Sequence, residues 1–250
     1  GRVDVIRRLL TVMAGPDGLD FSLPEEPPPD FSPGACRPAA VIGVLAEARD
    51  PLPETERRAF DAALGKLESA GFLLRELSLP DFALFPLVHG IVGSVEASSS
   101  AGRYDSVRYG IRAPGAGNWN DMYLESRREA FGLVVKSYLL QGAFFQFKRY
   151  GAYEDACRIR ARLLPGMDRL LGEADLLVLP APGAAPRAGR LGEVLASFNL
   201  SMFANVTGQP VLCLPAGERG GAGIQLAGAR RGDARVLEAG ERLLNLRGRE

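Results

Sequence analysis

Residues 39–79 constrain the fold more than any other part of the chain. Ala39 to Leu45, AAVIGVL, is a short, almost wholly apolar run that predicts a strand buried on both faces. Residues 54–70 carry Phe60, Leu64 and Leu67 at helical spacing, and Gly71 supplies a stop. Phe72 to Leu79 then predicts a second strand. A strand, a helix and a strand at this spacing make a βαβ unit with parallel strands and a right-handed crossover. Such a unit must sit in a sheet with helices packed on it, so an all-helical bundle or an all-β sandwich is excluded.

The rest of the chain fits a mixed α/β domain. Val3, Ile6, Leu10 and Met13 are spaced for a helix over residues 3–14, stopped by Gly15-Pro16-Asp17-Gly18. Pro24 to Pro38, including Pro27-Pro28-Pro29, predicts an extended surface connection. It resembles a domain linker in composition, but the preceding helix is too small to stand alone. A buried helix is expected from Asp81 to about Ser99, and a Gly- and Arg-rich loop over residues 102–120. Two or three helices follow from Asp121 to Leu171, with breaks expected near Gly132, Gly142 and Gly151. Ala174 to Leu179 reads as a strand closed by Pro180, then a loop over 180–192 and a short helix over 193–202. Asn205 to Pro210 reads as a turn, Val211–Leu214 and Ile224–Ala227 as short strands across a Gly-rich turn, and 233–246 as a closing helix. The expected fold is α/β, a mixed central sheet flanked by helices.

Charge and special residues narrow the function classes. Thirty basic residues balance thirty acidic ones, so no field of one sign draws a polyanion to the chain, and direct nucleic-acid binding is not expected. Cys36, Cys157 and Cys213 are odd in number and far apart, which suits reduced thiols in a cytoplasmic protein. His89 is the single histidine and lies in the apolar run FALFPLVHGIV, where a packed core role is expected. No signal peptide is evident, nor an apolar run of the roughly 18 residues that a membrane span needs. No metal or organic cofactor is implied.

Several motifs recur in one order. They are VDVIRRLLTVMAGPDGLD (3–20), AVIGVLAE (40–47), ETERRAFDAALGKLESAGF (54–72), GRYDSVRYG (102–110), YLESRREAFG (123–132), ADLLVLPAPGAAP (174–186), FANVTGQPVLCLPAG (203–217) and GIQLAG (223–228). Together they resemble the amidase-signature family, most closely the C-terminal half of the A subunit of glutamyl-tRNA(Gln)/aspartyl-tRNA(Asn) amidotransferases. The likeness covers nearly the whole chain. It implies that residues 1–250 form a single partial amidase-signature domain without the N-terminal half that carries the triad.

The resemblance also implies a chemistry and its gaps. Amidase-signature enzymes cleave amides with a serine nucleophile, a bridging cis-serine and a neutral lysine, with backbone N–H groups of a Gly/Ser-rich loop holding the oxyanion. No such loop occurs in these 250 residues. Ser98-Ser99-Ser100 lacks the flanking glycines and reads as a polar helix end, Lys66 lies on the βαβ helix where a solvated role is expected, and Lys136 and Lys148 lie on later helices. The chain alone is therefore expected to hydrolyse no amide. The candidate substrate wall is Arg108, Tyr109, Tyr138, Phe198 and Asn199. For Arg103 and Asp105 a structural ion-pair network with Arg108 is the favoured reading. Where the related amidotransferases carry a glutamine clamp of arginine and aspartate, this chain reads Lys136-Ser137-Tyr138-Leu139 and Phe198-Asn199-Leu200-Ser201. A zwitterion needs both signs of charge, so a more apolar amide is expected as the small-molecule substrate. Expected partners are the missing half or amidotransferase partner subunits. The alternative is a non-catalytic amidase-like binding or scaffold subunit.

Overall fold

The computed structural model describes residues 2–20, 23, 26–181, 191–215 and 223–246. After helix α1 (Val3–Met13) the chain enters strand β1 (Val41–Leu45), a one-turn helix α2 (Ala46–Arg49), helix α3 (Glu54–Ser69) and strand β2 (Leu73–Leu77). A 3-10 turn over Pro80–Ala83 leads into α4 (Leu84–Ser100), followed by α5 (Trp119–Ala130), α6 (Leu133–Lys148) and α7 (Tyr150–Glu173). Strand β3 (Leu176–Pro180), helices α8 (Leu191–Ala196) and α9 (Met202–Thr207), strands β4 (Val211–Pro215) and β5 (Gly223–Ala227) and helix α10 (Asp233–Leu246) complete the order.

The five strands form one mixed sheet in the order β2-β1-β3-β5-β4. β1 pairs parallel with β2 and with β3, in registers that set Ile42 against Leu74 and against Leu176. β5 runs antiparallel to both β3 and β4. Alternation along each strand sends side chains to opposite faces. Ile42, Val44, Leu176, Val178, Leu212, Leu214, Ile224 and Leu226 face one core, which α3, α10 and α1 cover through Phe60, Leu67, Val236, Leu243 and Val3. Leu45, Leu77, Leu177, Leu179 and Ala227 face the other, covered from α4, α7 and α9 by Phe85, Val88, Leu163, Met167 and Phe203. The result is the expected sandwich of sheet between helices.

Helix α3 ends as its sequence dictates. Gly71 sits at φ +81°, the left-handed region that glycine enters without a Cβ penalty. Its N–H reaches the Glu68 carbonyl at 2.8 Å and the Phe72 N–H reaches Leu67 at 3.1 Å, the paired bonds of a Schellman cap. Phe72 and Leu67 both join the core beneath.

Four expectations need correction. Gly142 does not break a helix; it lies in the middle of α6, where the absent side chain lets α6 press against α4. The other two expected breaks are present, one at Gly132 and one at Arg149, close to Gly151. Residues 193–202 are not one helix but the end of α8, a 3-10 turn over Asn199–Ser201 and the start of α9. Asn205 is helical, and the left-handed residue of that segment is Gly208 at φ +79°. The segment Pro80–Arg103 is long and apolar enough to cross a membrane, with mean hydropathy 1.2 in its best window. Glycines and serines between its large residues hid that total from a search for an unbroken apolar run, and its Phe85, Val88 and Val92 pack in the core. The loop expected over 180–192 and the turn between β4 and β5 lie largely outside the described residues.

Candidate functional site

Helix α4 carries the centre of the site. His89 projects from it toward α6 on one side and α9 on the other. Tyr138 Oη of α6 stands 3.4 Å from His89 Nδ1, with the two rings edge to face at 6.4 Å between centroids. Asn205 Nδ2 of α9 stands 3.2 Å from His89 Nε2. One imidazole thus joins three helices, an arrangement only a side chain with two opposed polar atoms can make. His89 is half-buried, not sealed in the core as expected. Burial lowers its pKa and the nearby Glu96 carboxylate works against that shift, so the neutral ring is the form favoured at neutral pH. Burial likewise raises the pKa of Tyr138, which stays a neutral phenol.

Beside the imidazole lies a pocket of about 200 Å³. Val92 and Val206 form its apolar wall, and His89, Glu96, Arg160 and Asn205 form its polar edge. Arg160, on α7, is steadied by a bond from its Nε to the Val206 carbonyl at 2.9 Å. Proximity of α4, α7 and α9 in space, not spacing in sequence, assembles this set. The only signal in the sequence was a histidine set in the apolar run FALFPLVHGIV.

The other expected site residues fall into separate groups. Arg108 and Tyr109 lie in the loop between α4 and α5, where the Arg108 guanidinium carbon stands 5.8 Å from the Tyr109 ring centroid. Tyr109 meets the edge of Tyr104 at 6.1 Å, and Tyr104 meets Phe131 at 5.9 Å. Asp105 holds this loop. Its Oδ1 accepts the backbone N–H groups of Val107 and Arg108, both at 2.9 Å, and its Oδ2 accepts Arg108 Nε at 2.8 Å. Those bonds, the Arg108 N–H first, lower its pKa to about 2. The structural reading of Asp105 fits this geometry. Arg103, by contrast, forms no ion pair among the described residues. Phe198 and Asn199 are exposed at the α8–α9 junction, where the Phe198 carbonyl accepts the Ser201 N–H at 2.9 Å.

The YLESRREAFG motif has a visible purpose. The Arg127 guanidinium lies over the rings of Tyr123 and Phe131, 4.8 Å from each centroid, and its Nη1 donates to the Ala101 carbonyl at 2.6 Å. That ties α5 to the start of the 102–118 loop. Among the described residues no three potential metal ligands converge.

The serines and lysines also have places. Ser98, Ser99 and Ser100 form the last turn of α4. Lys136 Nζ donates to the Arg128 carbonyl at 2.8 Å, and Lys66 and Lys148 are exposed on α3 and α6. None of the three lysines lines the His89 pocket.

Comparison with known proteins identifies the family. The family described as Amidase matches residues 1–237. The A subunit of the glutamyl-tRNA(Gln) amidotransferase of Limosilactobacillus fermentum is 32% identical over 249 residues, covering 93% of this chain and 51% of that protein. Its counterpart in Azoarcus sp. is 33% identical over 248 residues, covering 92% of this chain and 51% of that one. The crystal structure of the corresponding A subunit from Thermotoga maritima superposes with a TM-score of 0.66 at 19% identity, over 94% of this chain and 49% of that chain. The chain spans about half the length of the curated relatives it matches. The βαβ unit, the loop after α4 and the mixed sheet therefore have one origin: this chain belongs to the amidase family and matches the C-terminal half of the amidotransferase A subunits.

Proposed function

We propose that these residues form the substrate-side portion of an amidase-family hydrolase, or of a tRNA-dependent amidotransferase A-like protein. Its amide C–N cleavage depends on a Ser–cis-Ser–Lys half encoded outside residues 1–250. The observation that carries this reading is the coverage: nearly all of this chain aligns to about half of each relative. No Gly/Ser-rich loop stands anywhere in the 250 residues to supply a nucleophile and an oxyanion hole. Without both, a triad mechanism loses several powers of ten in rate, so the chain by itself cleaves no amide.

In this reading Tyr109, Arg108, Tyr138, Phe198 and Asn199 form the wall against which the amide lies. The runs Lys136-Ser137-Tyr138-Leu139 and Phe198-Asn199-Leu200-Ser201 stand where the related amidotransferases carry the arginine and aspartate that clamp glutamine. A wall that lacks the paired arginine and aspartate there binds an apolar acyl group better than a zwitterion, because an unpaired ammonium or carboxylate would lose its hydration for no partner. The partner is the triad-bearing half, or amidotransferase subunits, and the three unpaired thiols suit a cytoplasmic setting.

The test is ammonia release by the protein rebuilt with a triad-bearing half, on glutamine and on apolar primary amides. Turnover of apolar amides, slow turnover of glutamine and none by the 250 residues alone is the expected pattern. Glutamine turnover matching that of apolar amides would remove the clamp argument. A rebuilt protein inert on every amide would favour the non-catalytic scaffold instead.

A further inference from the structure

The two edges of the sheet are built differently. β2 ends it on one side and carries Arg75 and Glu76, both exposed, with Arg75 Nη1 bonded to the Glu173 carbonyl at 2.7 Å. Charged side chains on an edge strand discourage a further strand from pairing. β4 ends the sheet on the other side, and its sequence Val211-Leu212-Cys213-Leu214-Pro215 carries no charge. The backbone of β4 is open as well. The Gly228 N–H bonds the Pro210 carbonyl at 3.1 Å, and the Ala181 N–H bonds the Gly223 carbonyl at 2.8 Å on the far side of β5. Alternation along an antiparallel ladder then sets the phase: Leu212 and Leu214 exchange bonds with Leu226 and Ile224, while Val211 and Cys213 turn their N–H and C=O groups away from β5. Those outward groups meet no partner among the described residues.

We propose that β4 is an internal strand of a wider sheet, and that an extended, uncharged segment of the triad-bearing half pairs along it. The proposal rests on the reading that this half is encoded outside residues 1–250, and it adds where that half docks. The chain covers 51% of the Limosilactobacillus fermentum subunit, so about as much protein again has to be placed. The start of α1 lies at the same edge, because Val3 and Leu212 both adjoin Gly240 of α10. A half joined ahead of α1 is therefore delivered to β4 and not to β2, at the opposite side of the sheet. Main-chain bonds to Val211 and Cys213 would hold the added strand. Leu212 and Leu214, already buried under α10, would carry the apolar core onward beneath it.

The experiment measures amide hydrogen exchange along β4 in two proteins. One is the 250-residue chain; the other is the same chain joined to the unmatched half of the Limosilactobacillus fermentum A subunit. In the chain alone, the Val211 and Cys213 amides are expected to exchange at least about tenfold faster than those of Leu212 and Leu214. In the joined protein they should slow by about a hundredfold or more. Cys213→Pro removes an outward N–H and no bond to β5, so it should lower the melting temperature of the joined protein more than that of the chain alone. Equal protection of all four amides in the chain alone overturns the proposal, because the edge is then not open. So does protection of Val211 and Cys213 that rises with the concentration of the chain alone, which gives the edge to a second copy. Ammonia release is read separately. Protection without amide turnover removes the hydrolase reading and supports the docking edge. Turnover with Val211 and Cys213 still exchanging freely overturns the docking edge.

Discussion

Gly142 of α6 lies directly against the Ser94 carbonyl of α4. A methyl group placed at Gly142 would overlap that oxygen and come within 2.6 Å of the Ser94 carbonyl carbon and the Ser98 Cβ. Backbone cannot retreat as the tip of a side chain can, so the two helices must separate to admit it. Gly142→Ala is expected to cost about 3 kcal/mol and lower the melting temperature by roughly 6–12 °C. The same substitution at exposed Gly65, in α3, meets no atom within 4 Å. There the gain in helix propensity dominates, and Gly65→Ala should stabilise by about 0.5–1 kcal/mol. Thermal melting of both variants checks the opposite signs.

The N-terminal helix is tied to the C-terminal one by a second internal contact. Arg7, 8% exposed, makes paired bonds to Glu241 at 3.0 and 2.9 Å and also donates to the Phe31 carbonyl. Glu241→Ala leaves a buried guanidinium with only the Phe31 carbonyl to answer it. Because Glu241 keeps some contact with water, the expected loss is about 2–3 kcal/mol, at or below the low end for a buried pair. The exposed Arg2–Asp4 pair gives the contrast: solvent screens it, so Asp4→Ala should move the denaturant midpoint far less than Glu241→Ala. Denaturant midpoints of the two variants measure the difference.

The sheet and its helices were legible because their signals are local. An apolar run makes β1, a Gly71 cap ends α3, and a Pro180 closes β3, each within a few residues. The role of Gly142 was not legible, since a glycine inside a helical pattern looks the same whether it breaks the helix or lets another helix approach. The His89 site was hidden for the same reason. Its partners Tyr138, Arg160 and Asn205 lie 49, 71 and 116 residues away along the chain, and nothing in the apolar run around His89 shows that both ring nitrogens will be met. Asp105 was the opposite case, because an Asp two and three residues before the N–H groups it binds is a local turn signal.

The loop after α4 should respond to acid through Asp105. Its carboxyl is held near 2 by the Arg108 and Val107 N–H groups and the Arg108 side chain, below the roughly 3.9 of a free aspartate. A depressed folded pKa means that the unfolded chain binds more protons between those values. The contribution is therefore complete above about pH 4 and lost as pH falls toward 2. Carboxyl 13C titration should place Asp105 near 2. Asp105→Ala should speed amide hydrogen exchange at Val107 and Arg108, whereas Asp105→Asn, which keeps an acceptor oxygen, should speed it less.

His89 titrates in a higher window and with a different origin. Burial holds its folded pKa below the unfolded value of about 6.5, so between the two the unfolded chain again takes up more protons. Stability is full near neutral pH and declines as pH drops below about 6.5. Protonation also makes both ring nitrogens donors. Asn205 must then present its Oδ1 in place of its amide nitrogen, and Tyr138 must accept where it could have donated to a neutral tautomer. The acid form therefore loosens the link between α4, α6 and α9 and also carries a half-buried charge. His89→Gln, which stays neutral and keeps one donor and one acceptor, should flatten the fall in melting temperature between about pH 7 and 5. A variant whose melting temperature falls as steeply as the parent's would place the acid-sensitive group elsewhere.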